Sequence, residues 1–179
     1  SFVLSGLAMY LFIKELLNDN KAAFFASMLY IIAPYRFVDL YVRGAIGEHV
    51  AFIFPPLIFY FLLKLSKRYS LGYLIGGAFS FAGLNLAHNA ISLMLMPLFG
   101  LYALFLLVQA ENKLHLAMQY TITIFFGFGL SAFFWIPAFM EGKYTLRDIV
   151  TGGGEYITSF VAWKDFFNLT WSYGGSTGL

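Results

Sequence analysis

The chain has 179 residues, of which 60% are hydrophobic, 21% aromatic and only 11% charged. Soluble domains carry about 25% charged residues, so this composition excludes an ordinary soluble domain and is typical of a polytopic membrane protein. The formal net charge of +2 is spread along the sequence and indicates no nucleic-acid partner. Because the chain has no cysteine, disulfides, thiolate metal ligands and a cysteine nucleophile are excluded.

Long apolar segments predict an all-α polytopic membrane bundle with about six transmembrane helices, since a span needs about 20 mostly apolar residues. In chain order the predicted spans are 2–17, 21–34, 49–65, 71–87, 89–108 and 114–139. The second is short unless it continues to Leu40, which would place Asp39 near its end.

Two regions follow from this pattern. We expect residues 1–140 to form a transmembrane domain that is a fragment of a larger one, because the sequence starts inside an apolar run without methionine. The composition then changes to glycine-rich and charged, so 141–179 is expected to begin an external, periplasmic segment.

The distribution of basic residues predicts the orientation. The first, third and fifth loops hold six of the eleven basic residues and three of the nine acidic ones. By the positive-inside rule these loops are cytoplasmic. Residues 35–49, 86–90 and 141–179 are then expected on the external side of the membrane.

Charge is concentrated in the stretch 35–49, between long apolar runs. Ionisable groups near membrane depth are costly and usually mark a functional site. One interpretation is an anion site, in which Arg36 and Arg43 hold a phosphate while Asp39 or Glu48 orients an acceptor or pairs with an arginine. The other is a set of ion pairs that lets a short external loop lie against the membrane. On a helix, Asp39 and Arg43 would share a face.

The polar pair His88-Asn89 separates two apolar runs. It predicts a helical hairpin in which asparagine caps the second helix. Alternatively, His88 lies beside the arginines as a donor or proton acceptor, with Asn85 extending the polar patch.

The three histidines do not predict a metal centre. His115 is expected on the cytoplasmic side, whereas His49 and His88 are expected outside, and none of their spacings is typical of metal ligands. The sequence therefore establishes no cofactor; a divalent metal held by external carboxylates stays an open alternative without a supporting pattern.

Several motifs in order resemble those of one membrane-protein group. The matching stretches are Tyr35-Arg36, Asp39–Tyr41, Arg43–Glu48, His88–Ser92 leading to Pro97, Leu130–Ala138 followed by Glu141, and Trp171–Ser176. Together they make the chain similar to bacterial multi-spanning proteins related to GT-C-type glycosyltransferases, including proteins labelled 6-pyruvoyl-tetrahydropterin synthase-related membrane protein. The resemblance extends over nearly the whole chain.

The resemblance implies a helical protein of the bacterial plasma membrane that uses a polyprenyl-phosphate-linked sugar donor on the external face. Arg36 and Arg43 would stabilise the departing phosphate. Asp39, Glu48 or Glu141 would accept the proton of the acceptor. In such enzymes a further catalytic acid lies in the first external loop, which is expected before Phe2.

His88 and Asn89 are the remaining residues expected to bind substrate. Two other classes of function stay open at this point. In a non-enzymatic lipid or polysaccharide transporter, the stretch 35–49 would be a gated binding site. In a structural membrane protein, its charges would only brace an external loop.

Overall fold

A computed structural model of the chain describes residues 1–141, which form helices and turns without a strand. The predicted all-α fold class is confirmed. The chain divides into two compact units, Ser1–Trp135 and Ile136–Leu179. Residues 142–179, which make up nearly all of the expected external segment, lie outside the described residues, and the boundary expected after residue 140 stays a prediction.

Residues 1–141 contain nine α-helices and one π-helical turn. In chain order they are α1 (Phe2–Leu17), α2 (Asn20–Ile31), α3 (Pro34–Phe37), the π-helical turn (Val38–Val42), α4 (Ile46–Ala51), α5 (Phe54–Lys67), α6 (Leu71–Ala87), α7 (Asn89–Gln109), α8 (Lys113–Leu130) and α9 (Ala132–Met140).

Helix α6 is the centre of the first unit, since it packs against α4, α5, α7 and α8, while α1 packs against α2 and α5. Apolar side chains of α4, α5, α6, α7 and α8 form the core, among them Ile58, Leu62, Phe81 and Leu84. A buried hydroxyl adds a polar link to α8, because Tyr120 donates to the Leu62 carbonyl at 2.9 Å.

Two described helical segments, Ile46–Lys67 and Asn89–Gln109, are long and apolar enough to cross a membrane. The count rises to four if each of two bent helix pairs is one span. Leu71–Ala87 is apolar but has 17 residues, and at 1.5 Å per residue it is about 26 Å long, against a hydrocarbon core of about 30 Å. The six predicted spans therefore stay a prediction.

Both bends lie where the sequence interrupts the helical hydrogen bonds. Pro34 begins α3 after a 43° bend from α2, because proline cannot continue the ladder of the preceding helix. The continuous helix predicted over 114–139 instead bends by 69°. There Ser131 Oγ lies 3.1 and 3.2 Å from the carbonyl oxygens of Gly127 and Phe128, and such back-bonding bends helices.

An ion-pair cluster joins the ends of α1 and α5. The Glu15 carboxylate lies 3.1 Å from Lys64 Nζ and 2.9 Å from Lys67 Nζ. Lys67 also donates to the Glu15 carbonyl at 2.8 Å. The first and third connections therefore meet at one end of the unit, and their expected cytoplasmic location stays a prediction.

Glycines allow α6 and α8 to approach closely. A Cβ added to Gly127 would lie 2.6 Å from Phe81 Cβ and 3.1 Å from the Ala78 carbonyl oxygen. Gly77 on α6 is similarly enclosed, since its Cβ would lie 2.7 Å from Thr123 Cγ2. Small residues at such contacts let membrane helices pack backbone to backbone.

We predict that Gly127→Ala destabilises the α6–α8 contact by about 1–3 kcal/mol, because the added methyl group overpacks it. The matched control is Gly129→Ala on the same helix, whose Cβ would meet nothing within 4 Å. Alanine is the better helix former, so the control is expected to be neutral or stabilising. Thermal unfolding in detergent measures both variants, and equal midpoints for them would contradict the packing argument.

Candidate functional site

The charged stretch 35–49 folds as two short helices joined by a turn. Pro34 occupies the first turn of α3, where its missing N–H costs nothing. The backbone continues through the π-helical turn to Arg43, and Gly44 then adopts φ of 63°, a left-handed conformation that favours glycine. This reversal lets α4 return towards the helix that precedes it.

Four side chains form the Arg43 cluster, defined here as Tyr35, Asp39, Arg43 and Glu48. Arg43 Nη1 lies 3.2 Å from Asp39 Oδ1 and 3.0 Å from Glu48 Oε2. The same nitrogen donates to Tyr35 Oη at 2.8 Å, and the Tyr35 hydroxyl donates to Glu48 Oε1. One guanidinium therefore joins two carboxylates and a phenol, and the pairing of Asp39 with Arg43 follows the predicted spacing.

The members of the Arg43 cluster differ in exposure. The Asp39 and Glu48 side chains are 0% and 8% exposed, whereas the Arg43 side chain is 51% exposed. Tyr35 is also half exposed. A ligand that approaches this end of the unit would therefore meet the guanidinium and the phenol before either carboxylate.

The charge of Arg43 is reinforced by its neighbours. Tyr35 and Glu48 raise the pKa of the Arg43 guanidinium above its ordinary value. Since that ordinary value already exceeds 12, Arg43 remains a cation across the physiological pH range.

A close backbone contact fixes α4 against the end of α6. A Cβ on Gly47 would lie 2.8 Å from the carbonyl oxygen of Ala87. This contact brings Glu48 to the end of α6, next to His88. The expected role of His88 beside the arginines stays a prediction.

Arg36 occupies a different environment from Arg43. It is buried, and its guanidinium carbon lies 5.0 Å from the centre of the Phe2 ring and 5.2 Å from those of Tyr30 and Phe52. Nη1 donates to the Tyr30 carbonyl at 3.4 Å. Nε and Nη2 are buried without a partner among residues 1–141. The two arginines expected to share a phosphate thus have separate surroundings.

The His49 ring is also enclosed. It packs edge-on against Phe2 with ring centres 4.4 Å apart. Within the part of the chain that the structure describes, neither ring nitrogen has a hydrogen-bond partner. His49 and Arg36 therefore share Phe2 as a neighbour at the beginning of α1.

The helical hairpin expected at His88-Asn89 is present, but the capping residue differs. His88 is the N-cap of α7, and its Nδ1 accepts a hydrogen bond from the backbone N–H of Ile91 at 3.2 Å. Asn89 is the first residue of the helix and is exposed. The prediction that asparagine caps α7 was wrong, because the imidazole supplies the acceptor one residue earlier.

Asn85 belongs to a separate polar layer. Its Nδ2 donates to Ser131 Oγ at 3.2 Å, and its Oδ1 accepts from the Ser92 hydroxyl. The three buried residues connect α6, α7 and the end of α8. In apolar surroundings a polar side chain needs such partners, so Asn85 has a structural reason to be present.

Glu141 is the remaining predicted catalytic candidate. Glu141 belongs to the second unit, where it is exposed and its backbone N–H donates to the Pro137 carbonyl at 2.8 Å. Its expected catalytic role stays a prediction. Within residues 1–141, no group of three or more potential metal ligands comes together.

Sequence reasoning missed Tyr35 as a site residue. Eight positions separate it from Arg43, and on a regular helix of 3.6 residues per turn that spacing places two residues about 80° apart. The π-helical turn widens the local period. The contact between Tyr35 and Arg43 therefore depends on a backbone irregularity that the spacing does not reveal.

Comparisons with known proteins identify relatives but no established activity. A family model described as "6-pyruvoyl-tetrahydropterin synthase related domain; membrane protein" matches residues 1–153. An uncharacterised protein of Lactococcus lactis subsp. cremoris (strain MG1363) is 25% identical over 184 residues, which cover 95% of this chain. The chain spans only 30% of that relative's length. No solved structure matches the chain.

We predict that Gly47→Ala destabilises the first unit by about 1–3 kcal/mol, since its methyl group would press on a backbone oxygen that cannot rotate away. Gly100→Ala on α7 is the control, because a Cβ there meets nothing within 4 Å. Thermal unfolding in detergent compares the two. If Gly47→Ala matched the control, the α4–α6 contact would not hold Glu48 in place.

Proposed function

The chain belongs to the 6-pyruvoyl-tetrahydropterin synthase related family of membrane proteins, and we propose that it is part of a glycosyltransferase-like enzyme of the bacterial plasma membrane. Its donor would be a sugar linked to a polyprenyl phosphate. The reaction would take place on the external face, at the end of the helices that carries the Arg43 cluster.

The observation that carries this proposal is the placement of Arg43. Its guanidinium is half exposed, while the two carboxylates that hold it are buried. Among the described residues, all side-chain hydrogen bonds of Arg43 run from Nη1. The edge formed by Nε and Nη2 is therefore available for two parallel bonds to a phosphate, the geometry that arginine favours.

The surroundings of Arg43 suit an amphiphilic donor. Tyr41, Val42 and Ile46 flank it in the sequence, and all three are exposed. A ligand of this kind would place its phosphate group on the guanidinium and its hydrocarbon chain against these apolar side chains. A soluble phosphate ester would contact only the guanidinium.

Transfer needs a leaving-group stabiliser and a proton acceptor. As the bond from the sugar carbon to the phosphate oxygen breaks, the phosphate leaves with the electron pair, and Arg43 would stabilise its charge. The acceptor hydroxyl would attack the sugar and lose its proton towards Glu48. Since Glu48 is buried behind Tyr35, the Tyr35 hydroxyl would lie between the acceptor and the carboxylate.

A structural role is the second candidate, and it has its own supporting observation. The bonds of Arg43 to Asp39 and Glu48 tie the π-helical turn to α4, which braces the connection between α3 and α5. A brace predicts that loss of Arg43 unfolds or depletes the protein. A ligand site predicts that the protein remains folded and loses binding.

We predict that Arg43→Gln weakens binding of undecaprenyl phosphate to the intact protein in phosphatidylcholine nanodiscs by about tenfold or more, the equivalent of one charged hydrogen bond. Arg68→Gln is the matched control, because it removes the same charge from the exposed end of α5. Unchanged binding by Arg43→Gln, or equal losses in both variants, would contradict a specific phosphate contact.

We further predict that Glu48→Gln keeps donor binding within about threefold but lowers sugar transfer by about 100-fold or more, since a general base typically contributes 10²–10⁴. Glutamine retains the size of the side chain. The assay follows release of undecaprenyl phosphate from a radiolabelled sugar donor in membranes. Loss of protein from the membrane, with little change per folded molecule, would favour the brace.

A further inference from the structure

Arg36 has an unused hydrogen-bonding edge inside the protein. Nε and Nη2, the two nitrogens that form the fork of a guanidinium, are both buried and without a partner among residues 1–141. No acidic side chain in that part of the chain forms an ion pair with Arg36. A buried cation with free donors is unfavourable unless an acceptor can reach it.

Asp39 has the complementary free acceptor. Its Oδ1 is bonded to Arg43, whereas Oδ2 is buried without a partner in the described part of the chain. Asp39 follows Arg36 by three residues in continuous helical backbone, a spacing that places side chains on one face. The two side chains carry opposite charges, so they attract each other.

The two carboxylates on Arg43 are held unequally. Glu48 is bonded to Arg43 and also accepts from the Tyr35 hydroxyl. The Asp39 carboxylate has one contact with Arg43, at 3.2 Å, and it also lies beside the Glu48 carboxylate. If an anion binds to Arg43, three negative groups compete for one guanidinium in surroundings of low polarity. Moving away from Arg43 would therefore cost Asp39 fewer accepted hydrogen bonds than it would cost Glu48.

We propose that Arg36 is a positioning residue that receives Asp39 when a phosphate group binds to Arg43. In the unliganded state Asp39 bonds to Arg43. In the liganded state only the Asp39 side chain rotates, and its two carboxylate oxygens accept hydrogen bonds from Nε and Nη2 of Arg36. The proposal rests on the anion site assigned to Arg43 under the proposed function, and it gives the buried Arg36 a role without contact with the ligand.

The test is a double-mutant cycle on the intact protein in phosphatidylcholine nanodiscs, titrated with dodecyl phosphate. Arg36→Met fills a similar volume with no polar atom, and it is expected to weaken binding about tenfold, the equivalent of one charged hydrogen bond. Asp39→Asn removes the competing charge. In that background, Arg36→Met is expected to change binding by less than twofold.

Other roles of Arg36 predict different results of the double-mutant cycle. If Arg36 contacts the phosphate directly, or only supports the fold, Arg36→Met weakens binding equally in both backgrounds, and the proposal is overturned. Arg36→Lys keeps the charge and should retain most of the affinity. Unfolding midpoints of the ligand-free variants establish that each one is folded at the titration temperature.

Titration with inorganic phosphate tests the contribution of the phosphate group without a hydrocarbon chain. Since Asp39 responds to charge on Arg43, the fold-change caused by Arg36→Met is expected to be the same for inorganic phosphate and dodecyl phosphate. An effect seen only with the alkyl chain overturns the proposal. If wild type and Arg43→Gln bind both probes alike, the proposed function fails; if only Arg43→Gln loses binding and Arg36→Met does not, the positioning role alone fails.

Discussion

The first unit depends on one constraint: the charges at the end of its helices must be paired where little water reaches them. Buried ions are stable only with partners in good geometry. The Arg43 guanidinium supplies that partner for two carboxylates at once. The local backbone follows from this requirement, since the π-helical turn aligns Tyr35 with Arg43 and the left-handed Gly44 returns Glu48 to the same nitrogen.

The same region holds its second arginine by other means. Three aromatic rings from α1, α2 and the residue after α4 enclose Arg36. Contact with ring faces compensates part of the lost hydration of a guanidinium, but it leaves Nε and Nη2 without a partner among residues 1–141. Arg43 is therefore fixed by acids and open to solvent, while Arg36 is covered by rings and open to an internal acceptor. This difference makes one a candidate for ligand contact and the other for positioning.

Apolar patterning was sufficient to predict the helices that have clear ends. The predicted limits 2–17 and 71–87 agree with α1 and α6, because polar residues bound both apolar runs. The bend at Ser131 could not be predicted, since it depends on a hydroxyl that bonds to carbonyls of its own helix. The spacing of Asp39 and Arg43 indicated their pairing. The role of Tyr35 depends on a π-helical turn, and that of His88 on a ring nitrogen used as a cap.

Bracing and ligand binding both require that the Arg43 guanidinium be held in one position. A mobile arginine on a surface loses side-chain entropy when it binds a phosphate, and that loss weakens affinity. Fixing Nη1 with Asp39, Glu48 and Tyr35 removes part of this freedom before a ligand arrives. The cost is competition, because two of the groups that hold the guanidinium, Asp39 and Glu48, are acids. A site of this kind works best when one of the acids has a second donor to bond to, and among residues 1–141 the Nε–Nη2 edge of Arg36 is buried and without a partner.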